Sequence, residues 1–366
     1  MSLNGRKQFR RTQERPGNRN RRGVVLLVVL FFALLLTVSV ATFLRRATID
    51  SLVTRNRDDA ARAEALVRGG IRLAEALLLQ DRLLEQQGGT ARIDRFDDLW
   101  ALASGLPIEI GGGTLRVDIE DAGAYLNLNA LIELNDQDTW AARSQSLVYL
   151  RFLLEKWIEE LPIAPGERAL YDPQELAGNL LDWMDGNEVR AQGGFEDDFY
   201  QAQDPPYQAA NGPLLSVEEL RLVEGFDGTL VDHLRNYVTV FPWSPGGCGR
   251  PGVGCGVNLN TAPPHVLALL FYDDGVSDRL ATEDVVRGIL RTRETGGGIC
   301  GANNRDEACT PISEIVTNPI FPPPTVLSQL FFVRAEARVN DVRRSVDAVI
   351  DRSPNEGPRV LSWRMR

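Results

Sequence analysis

The sequence predicts an α+β fold: a long N-terminal helix packed on a small antiparallel β-sheet, with a large α-helical domain inserted into that sheet. Three observations carry this. An apolar run from Val24 to Leu44 passes without proline into helical periodicity that lasts to Gln87. Strand-like alternation of apolar residues occurs over 107–120 and returns only near the end, over 330–364. Between these stretches the chain shows helix starts and caps instead.

The apolar run is broken only by Thr37, Ser39 and Thr42, whose hydroxyls can bond back to the helix backbone. In hydrocarbon every peptide N–H and C=O needs an internal partner, and about 20 such residues span the roughly 30 Å core as a helix. Residues 24–44 therefore read as a single transmembrane segment. Residues 1–23 hold Arg6, Lys7, Arg10, Arg11, Arg15, Arg19, Arg21 and Arg22 against one acid, Glu14. Basic flanks stay cytoplasmic, so the remainder faces outward. A Sec-type signal would carry its small-residue cleavage site after a shorter apolar region. Here Gly23 stands between the basic leader and the apolar run. The segment is then either a plain signal anchor or, as its order resembles the class III signal of type IV prepilins, a leader cut after Gly23 by a prepilin peptidase. That resemblance implies Val24 as the new, N-methylated terminus.

Residues 45–88 continue the helix, with Ile49, Leu52, Val53, Ala60, Ala63, Val67, Ile71, Ala74, Leu77 and Leu78 on one face. At 1.5 Å per residue the whole helix would be about 95 Å long. Gly69-Gly70 is the expected kink and Gly88-Gly89 the expected end. Residues 89–121 supply the first part of the sheet, a hairpin of 107–110 and 114–120 about the glycines 111–113. Residues 329–366 supply the rest: 330–339, then 343–350 after Asn340-Asp341, then 359–364. The insertion, 122–328, is expected to hold helices at 139–160, 173–184, 216–223, 228–237, 263–272, 282–292 and 322–327. Proline after Asp172 and the capping-box form Ser216-Val-Glu-Glu219 mark two of the starts.

The 366 residues, 43% of them hydrophobic, suffice for two domains or one large one. The net charge is −10, and it becomes −17 without residues 1–23, which hold eight basic residues and one acid. Such a head repels nucleic acid and suits cation binding. Four cysteines form two close pairs, Cys248 with Cys255 and Cys300 with Cys309. In an oxidising compartment local bridges are expected. Three connectivities are open to four cysteines, and zinc competes, although neither pair has structural-zinc spacing.

Carboxylates and an amide cluster in loop-like sequence at Leu181-Asp-Trp-Met-Asp-Gly-Asn-Glu188 and Gly193-Gly-Phe-Glu-Asp-Asp-Phe-Tyr200. Hard cations such as Ca²⁺ take six to eight oxygens from such groups. Asp185, Asn187, Glu196 and Asp197 are the candidate ligands, with Asp182, Glu188 and Asp198 in reserve. The EF-hand spacing is absent, and the competing reading is a solvated acidic face. Leu126-Asn-Leu-Asn-Ala-Leu131 is echoed by Val257-Asn-Leu-Asn-Thr-Ala262, where asparagine can cap backbone donors. The second copy and the segment 216–226 also look like openings of helix-hairpin-helix units, which would make the chain a membrane-anchored nucleic-acid receptor. Their surroundings are acidic, so no nucleic acid is expected. His233 and His265 have no context that marks a general base, and no enzyme activity is expected.

Together, in this order, Arg22-Gly-Val-Val-Leu-Leu-Val-Val29, Leu126-Asn-Leu-Asn129, Leu181-Asp-Trp-Met-Asp185, Gly194-Phe-Glu-Asp197 with Tyr200, the segment 211–221 and Asn258-Leu-Asn-Thr-Ala-Pro263 resemble the protein K family of the type II (general) secretion pathway, minor pseudopilins. The resemblance covers nearly the whole chain. It implies the pseudopilin fold, a single-pass inner-membrane anchor with the head in the periplasm, and a structural Ca²⁺ in the head. It implies minor pseudopilins I and J and the major pseudopilin as partners, and a role in capping or initiating the periplasmic pseudopilus for export of folded proteins. Most pilins have glutamate at the fifth residue after the cleavage glycine, where this chain has Val28. A tip subunit has no subunit ahead whose terminal amine would need that carboxylate.

Overall fold

The computed structural model describes residues 20–88, 93–187, 189–190, 197–241, 256–273, 277–295, 297–301, 309–315, 320–353 and 357–366. The chain divides into two compact units, residues 1–61 and residues 62–366, with the division inside the first helix, α1 (Asn20–Gly88).

Every described residue of the first unit is helical. Its apolar side chains from Val24 to Leu44 are exposed, and from Gly23 onward the helix is long and apolar enough to cross a membrane. The three hydroxyls of the run turn inward as expected. Thr37 donates to Ala33 O (2.8 Å), Ser39 to Leu35 O (2.8 Å) and Thr42 to Val38 O (2.9 Å). These bonds satisfy, within the helix itself, the side-chain polar groups of the apolar run.

In the second unit α1 is amphipathic. Ala63, Val67, Ile71, Ala74 and Leu78 recur every three or four residues and are buried. They cover a five-stranded antiparallel sheet in the order β1 (Pro107–Ile110), β2 (Gly113–Asp121), β3 (Leu330–Val339), β4 (Val342–Asp351), β5 (Arg359–Met365). Alternation along the strands sends Leu115, Val117, Ile119, Val333, Ala335, Val346 and Ala348 into this core with Trp100 and Phe331. The β1–β2 turn is Gly111-Gly112, with φ of +62° and +76° at both central residues, a conformation that only glycine adopts at no steric cost.

Helical assignment continues through Gly69-Gly70, where the sequence suggested a kink. The reason for glycine at position 70 is clearance. A Cβ there would lie 2.9 Å from Ala335 Cβ and 3.1 Å from both Leu115 Cδ1 and Val117 Cγ2. The helix backbone thus rests directly on the middle of the sheet.

The chain leaves the sheet at Asp121 and returns at Leu330, and β2 and β3 pair as neighbours from Asp121 opposite Phe331 to Thr114 opposite Arg338. The inserted body is built on α2 (Ser146–Glu160), α3 (Pro173–Met184) and α4 (Glu283–Thr295). Leu150, Leu153, Leu154 and Trp157 of α2 share its core with Leu176, Leu180 and Met184 of α3, each contributing about 1.5–3 kcal/mol by burial.

The body is less helical than the sequence suggests. Residues 140–142 form a strand against 132–134, so α2 begins at Ser146 and not at residue 139. Residues 217–222 form a 3₁₀ helix, and the helix at 228 ends at Leu234. The stretch 263–272 is one turn, Pro264–Leu267, followed by a strand, Phe271–Asp273. No helix forms over 322–327. Consecutive prolines at 322, 323 and 324 push each preceding residue out of the helical region, and Thr325 bridges to Asn258 instead.

Candidate functional site

The acidic segment begins inside α3. Asp172 caps the helix by accepting from the N–H groups of Gln174 (2.9 Å) and Glu175 (3.3 Å), with Pro173 in the first turn. Asp182 and Asp185, three apart, share one face of its last turn and are only 6% and 8% exposed. Asp185 closes the helix through its N–H to Leu181 O (2.8 Å). Its Oδ1 accepts from the Asn187 N–H (3.3 Å) and from Asn187 Nδ2 (2.7 Å). Gly186 donates to Trp140 O (2.8 Å), which ties the turn to the strand 140–142.

Burial pushes the Asp185 carboxyl up to about 6; the Asn187 N–H opposes that rise and the charge of Asp182 adds to it. Among the described residues Asp185 has no cationic partner. A buried carboxylate left without counter-charge is costly, and the donors gathered here, carboxylate and amide oxygens, are those that hard cations take. The structure thus brings together Asp182, Asp185 and Asn187. Glu188 and Glu196 lie outside the described residues, as does the side chain of Asp197, and Asp198 is exposed.

The asparagine echo has a function that the sequence only hinted at. Asn129 Nδ2 donates to Leu214 O (2.9 Å) and Val240 O (2.8 Å), while its Oδ1 accepts from the Leu214 N–H (2.8 Å). Asn260 does the same to Ile299, with Nδ2 to its O (2.9 Å) and its N–H to Oδ1 (2.8 Å). Each amide therefore mimics one residue of a β-ladder and clips a distant segment. The first asparagine of each copy, Asn127 or Asn258, accepts the N–H two residues on, both at 3.0 Å.

The second copy also joins the body to the sheet. Asp121, the last residue of β2, is buried and accepts from Asn258 Nδ2 (3.0 Å), Ser328 Oγ (2.8 Å) and the Gly123 N–H (2.7 Å). Burial raises its carboxyl and these donors oppose the rise. One side chain thus holds both crossings between sheet and insertion. Backbone N–H groups of the second copy are spent internally, Asn258 on Gly123 O (2.7 Å) and Leu259 on Thr325 O (3.0 Å). A helix-hairpin-helix phosphate grip needs free amides, and these two are already bonded. Near the other such segment, Arg221 pairs with Glu218 (3.2 Å) and Asp232 (2.7 Å).

Sequence reading also missed a cluster beneath α1. Asp81, Asp94 and Asp98 bring carboxylate oxygens within 4.8 Å of one another. The position is already held by a cation, because the buried Arg352 guanidinium pairs with Asp81 (2.9 Å) and Asp94 (2.7 Å). Burial and the Asp98 charge push Asp81 up to about 6 against the pull of Arg352. Arg352 lies 271 and 258 residues from Asp81 and Asp94 in sequence, and no local pattern announces the cluster.

The two histidines sit in different surroundings. Burial lowers His233, against the charge of Glu160, and His265 Nε2 lies 3.0 Å from Asn236 O. Cys300 and Cys309 are bridged, as expected of a local pair; Cys248 and Cys255 lie outside the described residues.

Comparison with known proteins gives a consistent set of similarities. A family model described as type II secretion system protein K matches residues 124–243, the first part of the insertion. Type II secretion system protein K of Klebsiella pneumoniae is 31% identical over 69% of this chain and 70% of its own length. The Pseudomonas aeruginosa protein of the same description is 26% identical over 94% and 92%. Among solved structures, a chain of the GspK–GspI–GspJ complex from the enterotoxigenic Escherichia coli type 2 secretion system shares the fold, with a TM-score of 0.57 at 20% identity over 86% of this chain and 99% of that one.

Proposed function

The chain belongs to the type II secretion system protein K family of minor pseudopilins, and from that premise we propose that it caps and helps initiate the periplasmic pseudopilus that moves folded proteins through the outer membrane. The observation that carries this reading is the insertion between Asp121 and Leu330. It gives a small sheet a second body whose apolar core holds more residues than the sheet's own. A subunit enlarged in that way ends a stack of subunits and does not extend it.

The remaining parts fit the same picture. The basic leader keeps the N-terminus cytoplasmic and the acidic head periplasmic. A prepilin peptidase cleaves after Gly23, and Val24 becomes the methylated terminus. Val28 lacks the carboxylate that a subunit within the shaft would offer to the amine ahead. Minor pseudopilins I and J and the major pseudopilin are the partners, in keeping with the complex in which the structural relative was solved. Asp185, Asn187, Glu196 and Asp197, with Asp182 in reserve, hold a structural Ca²⁺ that gives the buried Asp185 carboxylate a counter-charge.

Two experiments test these proposals. A Val28→Glu variant is expected to remain scarce in assembled pseudopili, because the insertion still bars addition above it. Incorporation as free as that of the major pseudopilin overturns the capping role. For the ion, Ca²⁺ is expected to raise the melting temperature of chelator-treated protein, and Asp185→Ala with Glu196→Ala to abolish the rise. An unchanged melting curve rules against a structural ion.

A further inference from the structure

The two edges of the sheet differ. β1 is four residues long and begins at Pro107, which has no N–H, so it is a poor template for another strand. β5 is seven residues long, contains no proline, and is the last strand of the sheet among the described residues. Arg366 and Ser345 exchange backbone bonds, N–H to O at 2.8 Å and 3.3 Å. In an antiparallel ladder such pairs alternate with pairs that do not bond. By the β4–β5 register, Arg364 opposite Asp347 is a bonded pair, whereas Met365 opposite Val346 and Trp363 opposite Ala348 are not. The N–H and C=O groups of Trp363 and Met365 therefore point away from β4, to the open edge.

The same two side chains stand on the helix-facing side, since Val346 and Ala348 belong to the core under α1. Trp363 is nonetheless 49% exposed and Met365 39%. A groove of about 550 Å³ runs between Trp363 and α1 at Arg68 to Arg72. The Arg68 guanidinium lies 5.8 Å from the Trp363 ring centroid.

Charge selects what fits there. The chain is acidic overall, at −10, yet residues 357–366 hold Arg359, Arg364 and Arg366 and no acid. Among the described residues Arg359 and Arg364 have no acidic partner, and both lie on the sheet face opposite Trp363. A second copy of β5 would bring the same arginines and be repelled, whereas an acidic strand is attracted.

We propose that β5 is a strand-addition site for an extended acidic segment of a partner protein with apolar residues at alternate positions. Its backbone bonds the free groups of Trp363 and Met365. Its apolar side chains enter the groove beside Trp363, and its acids meet Arg359 and Arg364 on the other face.

The test uses the full-length protein in detergent and a labelled peptide of four glutamate–valine repeats, with a lysine–valine peptide as control. Anisotropy is expected to show binding of the acidic peptide alone. Residue-resolved hydrogen exchange is expected to slow at the Trp363 and Met365 amides by about tenfold and to leave Ser362 and Arg364 unchanged. Trp363→Pro, which removes an outward donor together with the ring that walls the groove, and Arg359→Glu with Arg364→Glu, which leave the backbone intact, are each expected to weaken binding by at least about tenfold. The proposal fails if the acidic peptide does not bind at about 1 mM, if the lysine peptide binds equally, or if the arginine variant binds as tightly as the parent. It fails too if phosphatidylglycerol vesicles protect these amides more than the peptide does, which would make the strand a membrane-surface element.

Discussion

The sheet and the body inserted into it both bury apolar cores, but they are fastened by different means. In the sheet the backbone bonds itself: β3 pairs with β4 over ten consecutive residues and with β2 over eight. In the inserted body no ladder among the described residues exceeds three pairs. Buried side-chain amides take over there, each standing in for a strand residue. A region held by long ladders tolerates the loss of one polar side chain, and a region held by clips does not.

The difference is broken or sharpened by substitution. The largest effect is expected for Asn129→Ala, which leaves the buried N–H and C=O of Leu214 and the C=O of Val240 unpartnered. Urea titration is expected to show a loss of about 3–5 kcal/mol, and a loss below about 1 kcal/mol would remove the distinction. Next comes Asp185. Its folded value, about 6, exceeds the ordinary 3.8, so its contribution is full below 3.8 and is lost as pH rises through about 6. Chelated protein is expected to lose on the order of 2–3 kcal/mol across that window. Asp185→Asn removes the slope, and Ca²⁺, by displacing the proton, flattens it. In the sheet, Gly70→Ala drives a methyl against Ala335 and is expected to cost about 1–3 kcal/mol by thermal melting. Smallest is Arg334→Ala on the solvent face. It breaks an exposed pair with Asp347 at 2.6 Å and is expected to change stability by less than about 1 kcal/mol.

The same contrast explains what was legible in the sequence. The long apolar helix, α3 with its Asp172-Pro173 start, and all five strands of the sheet follow from period and turn chemistry alone. Each is long enough for its pattern to outweigh its surroundings, as the alternation in Leu330–Val339 illustrates. The inserted body was read too helically. At residues 140–142 and 271–273 short ladders override weak local propensity, and three prolines at 322–324 defeat a helix that one would have started. The acidic end of α3 was visible as composition, and its burial was not. Asp121 and the Arg352 cluster were invisible, because their partners lie more than a hundred residues away in sequence.

The capping role is tested most directly by counting. With the head labelled and pseudopili imaged one at a time, the account predicts one copy per filament, at an end. Copies spaced along the shaft would contradict it.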